Sequence, residues 1–230
     1  MRKKPILNIH SACRLLLVLP LMLPISCTSK STLSDYQAYD RPTALPSNPD
    51  NVRVKVSLDR QRVYVLEGDK ILLAMPVSVG KPSSPTPCGN FRIKAKVKNY
   101  RAHTHGFATA DEKTFISSYL WNKPSGWKFR GTPMPYWCEF KTAYGFHTGW
   151  VKHMPCTHGC IRMHENLGPK FFRLVKVGTP VSIALIQPED FKYADMPLPP
   201  DAGPLPDYSI KSMYWDGGYF IQHKSPEYAN

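Results

Sequence analysis

The chain has 230 residues, 42% of them hydrophobic, and 30 Lys and Arg against 17 Asp and Glu, a formal net charge of +13. So basic a chain invites a nucleic-acid reading. The basic residues are scattered, however, and no helix-turn-helix, zinc-finger or RRM pattern accompanies them.

The N-terminus carries Arg2, Lys3, Lys4 and Arg14, then an apolar run over residues 15–25. A basic segment followed by a short apolar one reads as a secretory signal over residues 1–26, too short for a membrane span. Cys27, directly after the small Ser26, resembles a bacterial lipoprotein processing site, with Pro24 standing where that pattern prefers leucine. An ordinary cleavable signal is the alternative. Acylation of Cys27 would anchor the mature chain through buried methylenes. Loss of residues 1–26 lowers the formal charge to about +9, which suits an exported protein that meets an anionic wall polymer or peptide carboxylates. The expected location is therefore the periplasm or cell envelope, with the protein held at a membrane as a lipoprotein.

Residues 27–50 are rich in Ser, Thr, Pro and Asp and read as a tether. From Val52 the pattern alternates with period two: Val52, Val54, Val56 and Leu58, then Val63 and Val65, which predicts two half-buried strands joined by a turn. Further strands are expected over 71–75 and 91–97. Residues 98–133 are long, polar and aromatic, holding His103, His105, Tyr119, Trp121 and Trp127, and read as a lid loop or substrate wall. Strands resume near Tyr136 and Phe146. One helix is predicted over 169–175, opened by Pro169 and ended before Gly178, and a last strand over 181–186. Residues 51–187 thus form one mainly β domain. Residues 188–230 are Pro-rich with isolated aromatic clusters, and read as a solvated tail rather than a strap packed on the domain.

Of six cysteines, Cys13 lies in the signal and Cys27 at its end, leaving Cys88, Cys138, Cys156 and Cys160. These are too few and too irregular for a stapled miniprotein, although export permits a bridge, and Cys138–Cys156 is the pair to test. Chemistry concentrates in Thr157-His158-Gly159-Cys160-Ile161-Arg162-Met163, with His147 upstream in Gly145-Phe146-His147-Thr148-Gly149. Cys160 reads as a thiol nucleophile between glycine and cationic neighbours, and His147 as its base. Gly159 would let its own N–H and that of Cys160 turn toward one point as an oxyanion hole. A zinc knuckle from Cys156, His158, Cys160 and His164, with His153 nearby, competes for the same residues, but Cys-x-His-x-Cys is unlike the usual spacing. No metal or other cofactor is expected.

The Thr157–Met163 motif resembles the signature of the L,D-transpeptidase catalytic domain (YkuD type), a cysteine acyltransferase of bacterial cell walls. The likeness runs over residues 52–186 and includes Met75-Pro76-Val77-Ser78-Val79-Gly80-Lys81, Thr86-Pro87-Cys88-Gly89-Asn90-Phe91, Met134-Pro135-Tyr136-Trp137 and Gly178-Thr179-Pro180-Val181. Departures are Thr157 in place of the usual serine, Cys88 in a turn that more often holds a small or hydroxyl residue, and Leu167-Gly168-Pro169 after Asn166 where an Asn-x-Asp-Ala run is common. The resemblance implies a mainly β sandwich of mixed strands with one short helix and a long lid loop. It also implies that Cys160 cuts a peptidoglycan tetrapeptide stem, that His147 is oriented by the Thr148 carbonyl, and that His158 shapes the loop or meets substrate. Arg162 then suits a carboxylate or a supporting carbonyl. Tyr136, Trp137 and Thr157 are candidate substrate contacts, with core packing an equal expectation for the two aromatics. The expected reaction is transpeptidation to 3-3 cross-links through a thioester; alternatives are L,D-carboxypeptidation, wall anchoring, or a non-catalytic wall-binding lipoprotein.

Overall fold

A computed structural model describes residues 33–201 and 209–221. In chain order the elements are α1 (Leu33–Ala38), β1 (Val52–Ser57), β2 (Arg62–Glu67), β3 (Lys70–Ser78), β4 (Gly89–Arg92), β5 (Ala95–Val97), β6 (Arg101–Thr109), β7 (Ile116–Tyr119), β8 (Lys128–Pro133), β9 (Trp137–Lys141), β10 (Tyr144–Thr148), β11 (Ile161–Met163), α2 (Gly168–Leu174), β12 (Pro180–Ala184), α3 (Glu189–Lys192) and α4 (Ile210–Trp215). The fold is mainly β, as the alternating valines required.

Nine strands form one mixed sheet in the order β4-β12-β1-β2-β3-β11-β10-β9-β5. Its two parallel pairs are β1 with β12 and β10 with β11. The end strands β4 and β5 are neighbours in sequence, so the sheet must curl until its two edges meet. Between them the Ile93 N–H donates to the Thr179 carbonyl beside β12 (2.9 Å), and the Lys94 N–H to Glu139 on β9. Expected as one strand, 91–97 is therefore a corner, with its two halves paired at opposite ends of the sheet. The curl encloses Val54, Val56, Leu73, Phe140, Phe146 and Ile161, with Phe171 of α2 closing the interior. β2 is buried on both faces because Tyr64 and Leu66 also pack under Met196. There Asp190 of α3 accepts hydrogen bonds from Tyr64 Oη (2.8 Å) and Ser57 Oγ (2.7 Å).

Further expectations need correction. Residues 98–133 are not an irregular loop: most of them form a second sheet, β7-β6-β8. Its exposed, mostly polar residues hid the pairing, since a small three-stranded sheet has little apolar alternation to show. One helix was expected, and α2 matches it to within a residue, but α1, α3 and α4 are also present. The flanking segments are docked rather than free. Tyr36 of the presumed tether is buried, as are Met213, Tyr214 and Phe220 of the presumed tail, and together with Phe107 and Trp150 they make a second apolar cluster. Cys138 and Cys156 are both free thiols, Cys138 facing the core from β9, so the bridge is absent. No helix among the described residues is long and apolar enough to cross a membrane. The signal over 1–26 and Cys27 lie outside the described residues.

Candidate active site

Cys160 immediately precedes β11, and His147 lies on β10, which pairs with β11 in parallel. The register sets Phe146 beside Ile161 and His147 beside Arg162. In-register residues of paired strands share a face, so the imidazole, the guanidinium and the thiol two residues before Arg162 emerge on one side of the sheet.

The loop that delivers the thiol is tied at each turn. Cys156 and Thr157 N–H groups both donate to the Val79 carbonyl (3.0 Å each), and the Lys81 N–H donates to Thr157 O (3.0 Å). Thr157 Oγ1 donates to the Cys160 carbonyl (2.6 Å) and accepts from the Gly159 N–H (3.1 Å). Thr86 Oγ1 accepts from the Gly80 N–H and donates to the Gly159 carbonyl, both at 2.9 Å. Gly159 has φ +107, and a Cβ there would lie 2.5 Å from the Tyr144 ring, so only glycine fits. Thr157 is therefore buried loop scaffolding rather than a substrate contact. The Gly159 N–H is spent on Thr157, leaving the Cys160 N–H as the oxyanion candidate. The Thr86 hydroxyl fastens the nucleophile loop through a bond to Gly159, 73 residues away, which sequence does not display.

His147 is buried, and its Nδ1 lies 2.8 Å from the Thr148 carbonyl. A carbonyl only accepts, so Nδ1 carries the proton and Nε2 presents its lone pair. Burial, and secondarily the Arg162 charge, push the imidazole pKa down to about 3 against the opposing Thr148 bond, so it is neutral near pH 7. The half-buried Cys160 thiol donates to the Ala143 carbonyl at 3.7 Å. Burial raises its pKa, while the Gly145 N–H and Arg162 work the other way. Burial thus keeps the imidazole neutral and makes the thiol harder to ionise than an exposed cysteine.

Arg162 Nη1 donates to the Trp150 carbonyl (3.2 Å) and lies 3.9 Å from Cys156 Sγ. Tyr136 and Trp137 are both buried, which favours packing over substrate contact. Trp137 stacks on Tyr100 (centroids 4.7 Å) and stands 6.3 Å from the His147 ring as its backing. Its ring also fills the space a side chain at Gly145 would need. His158 is exposed and its ring centroid lies 5.1 Å from that of His105 on β6.

The zinc ligands do not gather. His164 is buried, taking the Asn166 N–H on Nδ1 (3.1 Å) and so donating from Nε2 to the Tyr36 carbonyl (2.8 Å). His153 Nε2 is 2.7 Å from the Pro199 carbonyl. Among the described residues no three His, Cys, Asp or Glu side chains are grouped to hold a metal ion.

Residues outside the expected list complete the site. Tyr36 Oη accepts from the Val151 N–H (2.7 Å) and lies 3.4 Å from the Gly149 carbonyl, bracing the chain just after His147. Thr148 Oγ1 donates to the Phe220 carbonyl at 2.8 Å, so the C-terminal segment holds the residue that orients the base.

The family model of the L,D-transpeptidase catalytic domain (YkuD) matches residues 51–183. No curated protein matches the chain. Among solved structures, an L,D-transpeptidase from Mycobacterium smegmatis is 21% identical at TM-score 0.43, the match covering 58% of each chain. An L,D-transpeptidase (Yku) from Stackebrandtia nassauensis is 21% identical at TM-score 0.42, with 64% of this chain and 60% of that one covered. The catalytic domain of an E. faecium L,D-transpeptidase is 24% identical at TM-score 0.42, with 58% and 96% covered. The match thus spans less than two thirds of the length of the first two solved proteins.

Proposed function

The chain belongs to the L,D-transpeptidase catalytic domain family, and from that premise we propose that it is an exported enzyme acting on peptidoglycan stem peptides through a Cys160 thioester. What supports the reading is a thiol and a base on one face of a parallel strand pair, with the base locked in the tautomer that can take a proton.

Substrate entry brings the amide that joins stem residue three to the terminal D-alanine against Cys160. His147 Nε2 takes the thiol proton as sulfur attacks the carbonyl carbon, so the thiolate exists only as it reacts. The developing oxyanion meets the Cys160 N–H. Collapse breaks the C–N bond, and D-alanine leaves with the proton from His147. A side-chain amine of a second stem then attacks the thioester, giving up a proton to His147. The C–S bond breaks, the thiol is restored, and a 3-3 cross-link results. The imidazolium formed midway is short-lived in so dry a site, which favours rapid return of the proton.

The proposed location is the periplasmic face of the envelope, with Cys27 acylated. The direct test of the chemistry is mass spectrometry after exposure to a carbapenem. The wild type gains one adduct, on Cys160, and Cys160→Ala gains none while keeping its melting temperature. His147→Ala slows adduct formation by about 10²–10⁴. An adduct on Cys88, Cys138 or Cys156 instead, or none, overturns the assignment. With isolated tetrapeptide stems, D-alanine release without dimers would mean water is the acceptor.

A further inference from the structure

Strand β9 carries a carboxylate, Glu139, on the face of the sheet that holds the catalytic pair. Cys138 and Phe140 point into the core, so Trp137, Glu139 and Lys141 take the opposite face, where Trp137 backs His147. The register sets Glu139 opposite Gly145 on β10. Phe146 stands beside Ile161, so Gly145 stands beside Cys160, and its N–H reaches the thiol. Glu139, Gly145 and Cys160 therefore form one row across three strands, about 10 Å from end to end between Cα atoms. Tyr100, stacked on Trp137 at 4.7 Å, reports on both ends of that row. Burial raises its phenol pKa and the Glu139 and Cys160 charges add to the rise, so one side chain lies within the field of each.

Glu139 is half-buried, and among the described residues it makes no salt bridge. Lys141, two residues on, is exposed and lies over the Tyr144 ring (5.3 Å) instead. A carboxylate that has lost part of its hydration without gaining a cation is ready to take one from outside.

The other side of the sulfur has the opposite sign. Arg162 is on β11, and Lys81 lies just beyond β3, the next strand in the sheet. Burial lowers the His158 pKa and both of these charges add to the fall, which places them beside the nucleophile loop. Cys160 thus stands between cations toward β3 and an anion toward β9. The proposed reaction brings in two charged groups of opposite sign. The donor stem ends in the D-alanine carboxylate, and the acceptor enters as an ammonium. Charge complementarity directs the carboxylate to Lys81 and Arg162 and the ammonium to Glu139. His147, on the intervening β10, then meets an amine that arrives from the β9 side.

We propose that Glu139 is a specificity residue for the acceptor, holding the side-chain ammonium of the second stem beside the thioester. The inference rests on the transpeptidase reading and makes an amine, rather than water, the favoured acceptor. The ammonium releases one proton to solvent. The free amine attacks the thioester carbonyl and passes a second proton to His147. The C–S bond breaks, and the sulfur takes that proton.

The test follows how each acyl-enzyme of the full-length protein is resolved. Tetrapeptide stems serve as donor and acceptor in one reaction, and hydroxylamine, uncharged near pH 7, is the added acceptor in another. Mass spectrometry counts dimer or hydroxamate against tripeptide, a ratio to which unfolded protein contributes nothing. Glu139→Gln lowers the dimer-to-tripeptide ratio about tenfold, the worth of one hydrogen bond to a charged group. The hydroxamate ratio stays in place, and Glu139→Asp recovers part of the dimer. In the wild type, added salt depresses the dimer ratio and spares the hydroxamate ratio. A dimer ratio indifferent to Glu139→Gln, or dimer and hydroxamate falling together, overturns the acceptor role alone. Tripeptide without dimer from the wild type makes water the acceptor and overturns it too. Neither a carbapenem adduct on Cys160 nor D-alanine release overturns the Cys160 chemistry itself.

Discussion

Burial keeps His147 neutral far below the ordinary histidine range, and that has a cost in acid. Its pKa falls from about 6.5 in the unfolded chain to about 3 in the fold, by desolvation first and the Arg162 charge second. Above pH 6.5 the imidazole is neutral in both states and contributes no pH dependence. Between there and pH 3 the unfolded state binds a proton that the folded state refuses, so stability drops as pH falls. The expected loss by pH 4 is on the order of 3 kcal/mol. His147→Asn removes this contribution. Melting curves from pH 7 to 4 should therefore fall more steeply for the wild type than for the variant; parallel curves would mean the imidazole is solvated.

At the scale of elements, two segments outside the family match buttress the strand end that carries the base. α1 brings Tyr36 to the backbone at Gly149 and Val151, and the C-terminal segment brings the Phe220 carbonyl to Thr148 Oγ1. Further bonds hold α1 in place: Asn166 Nδ2 donates to the Gln37 and Tyr39 carbonyls, and buried Lys170 pairs with Asp40 at 2.9 Å. Thr148→Val removes the buried hydroxyl that donates to the Phe220 carbonyl and should cost about 1 kcal/mol, the net worth of one hydrogen bond. It should also slow carbapenem acylation of Cys160, because the carbonyl that fixes His147 belongs to the same residue. Thr148→Ser, which keeps the hydroxyl, should recover most of both, as read by adduct kinetics and thermal melting. Recovery of stability without recovery of rate would separate packing from orientation.

At the scale of the whole molecule, docking of α1 changes what a lipid anchor would mean. The span from Cys27 to Leu33 reaches at most about 20 Å when extended, where a free tether to residue 50 would reach several times farther. An acylated chain would therefore work close to its membrane. The anchor itself is tested by fractionation. The mature protein should partition into detergent, and Cys27→Ser should release it to the soluble exported fraction. Unchanged partitioning would leave only a cleavable signal.

The valine alternation of β1 and β2, the Pro169 helix start and the Gly159–Cys160 motif were legible in the sequence because each is a local pattern, expressed within a few residues by period, capping or backbone freedom. Their consequences held: β1 and β2 pair, α2 begins within a residue of its expected start, and Gly159 takes a φ that favours glycine. Contacts of long sequence separation left no such trace. That Thr86 supports Gly159, that Tyr36 braces Gly149 and Val151, and that residues 91–97 break to join the sheet's two edges depend on how the sheet curls. So does the state of Cys160, since neighbours in sequence promised a charged environment and burial made the thiol harder to ionise. Desolvation is set by everything packed around a group, and only the tertiary structure decides it.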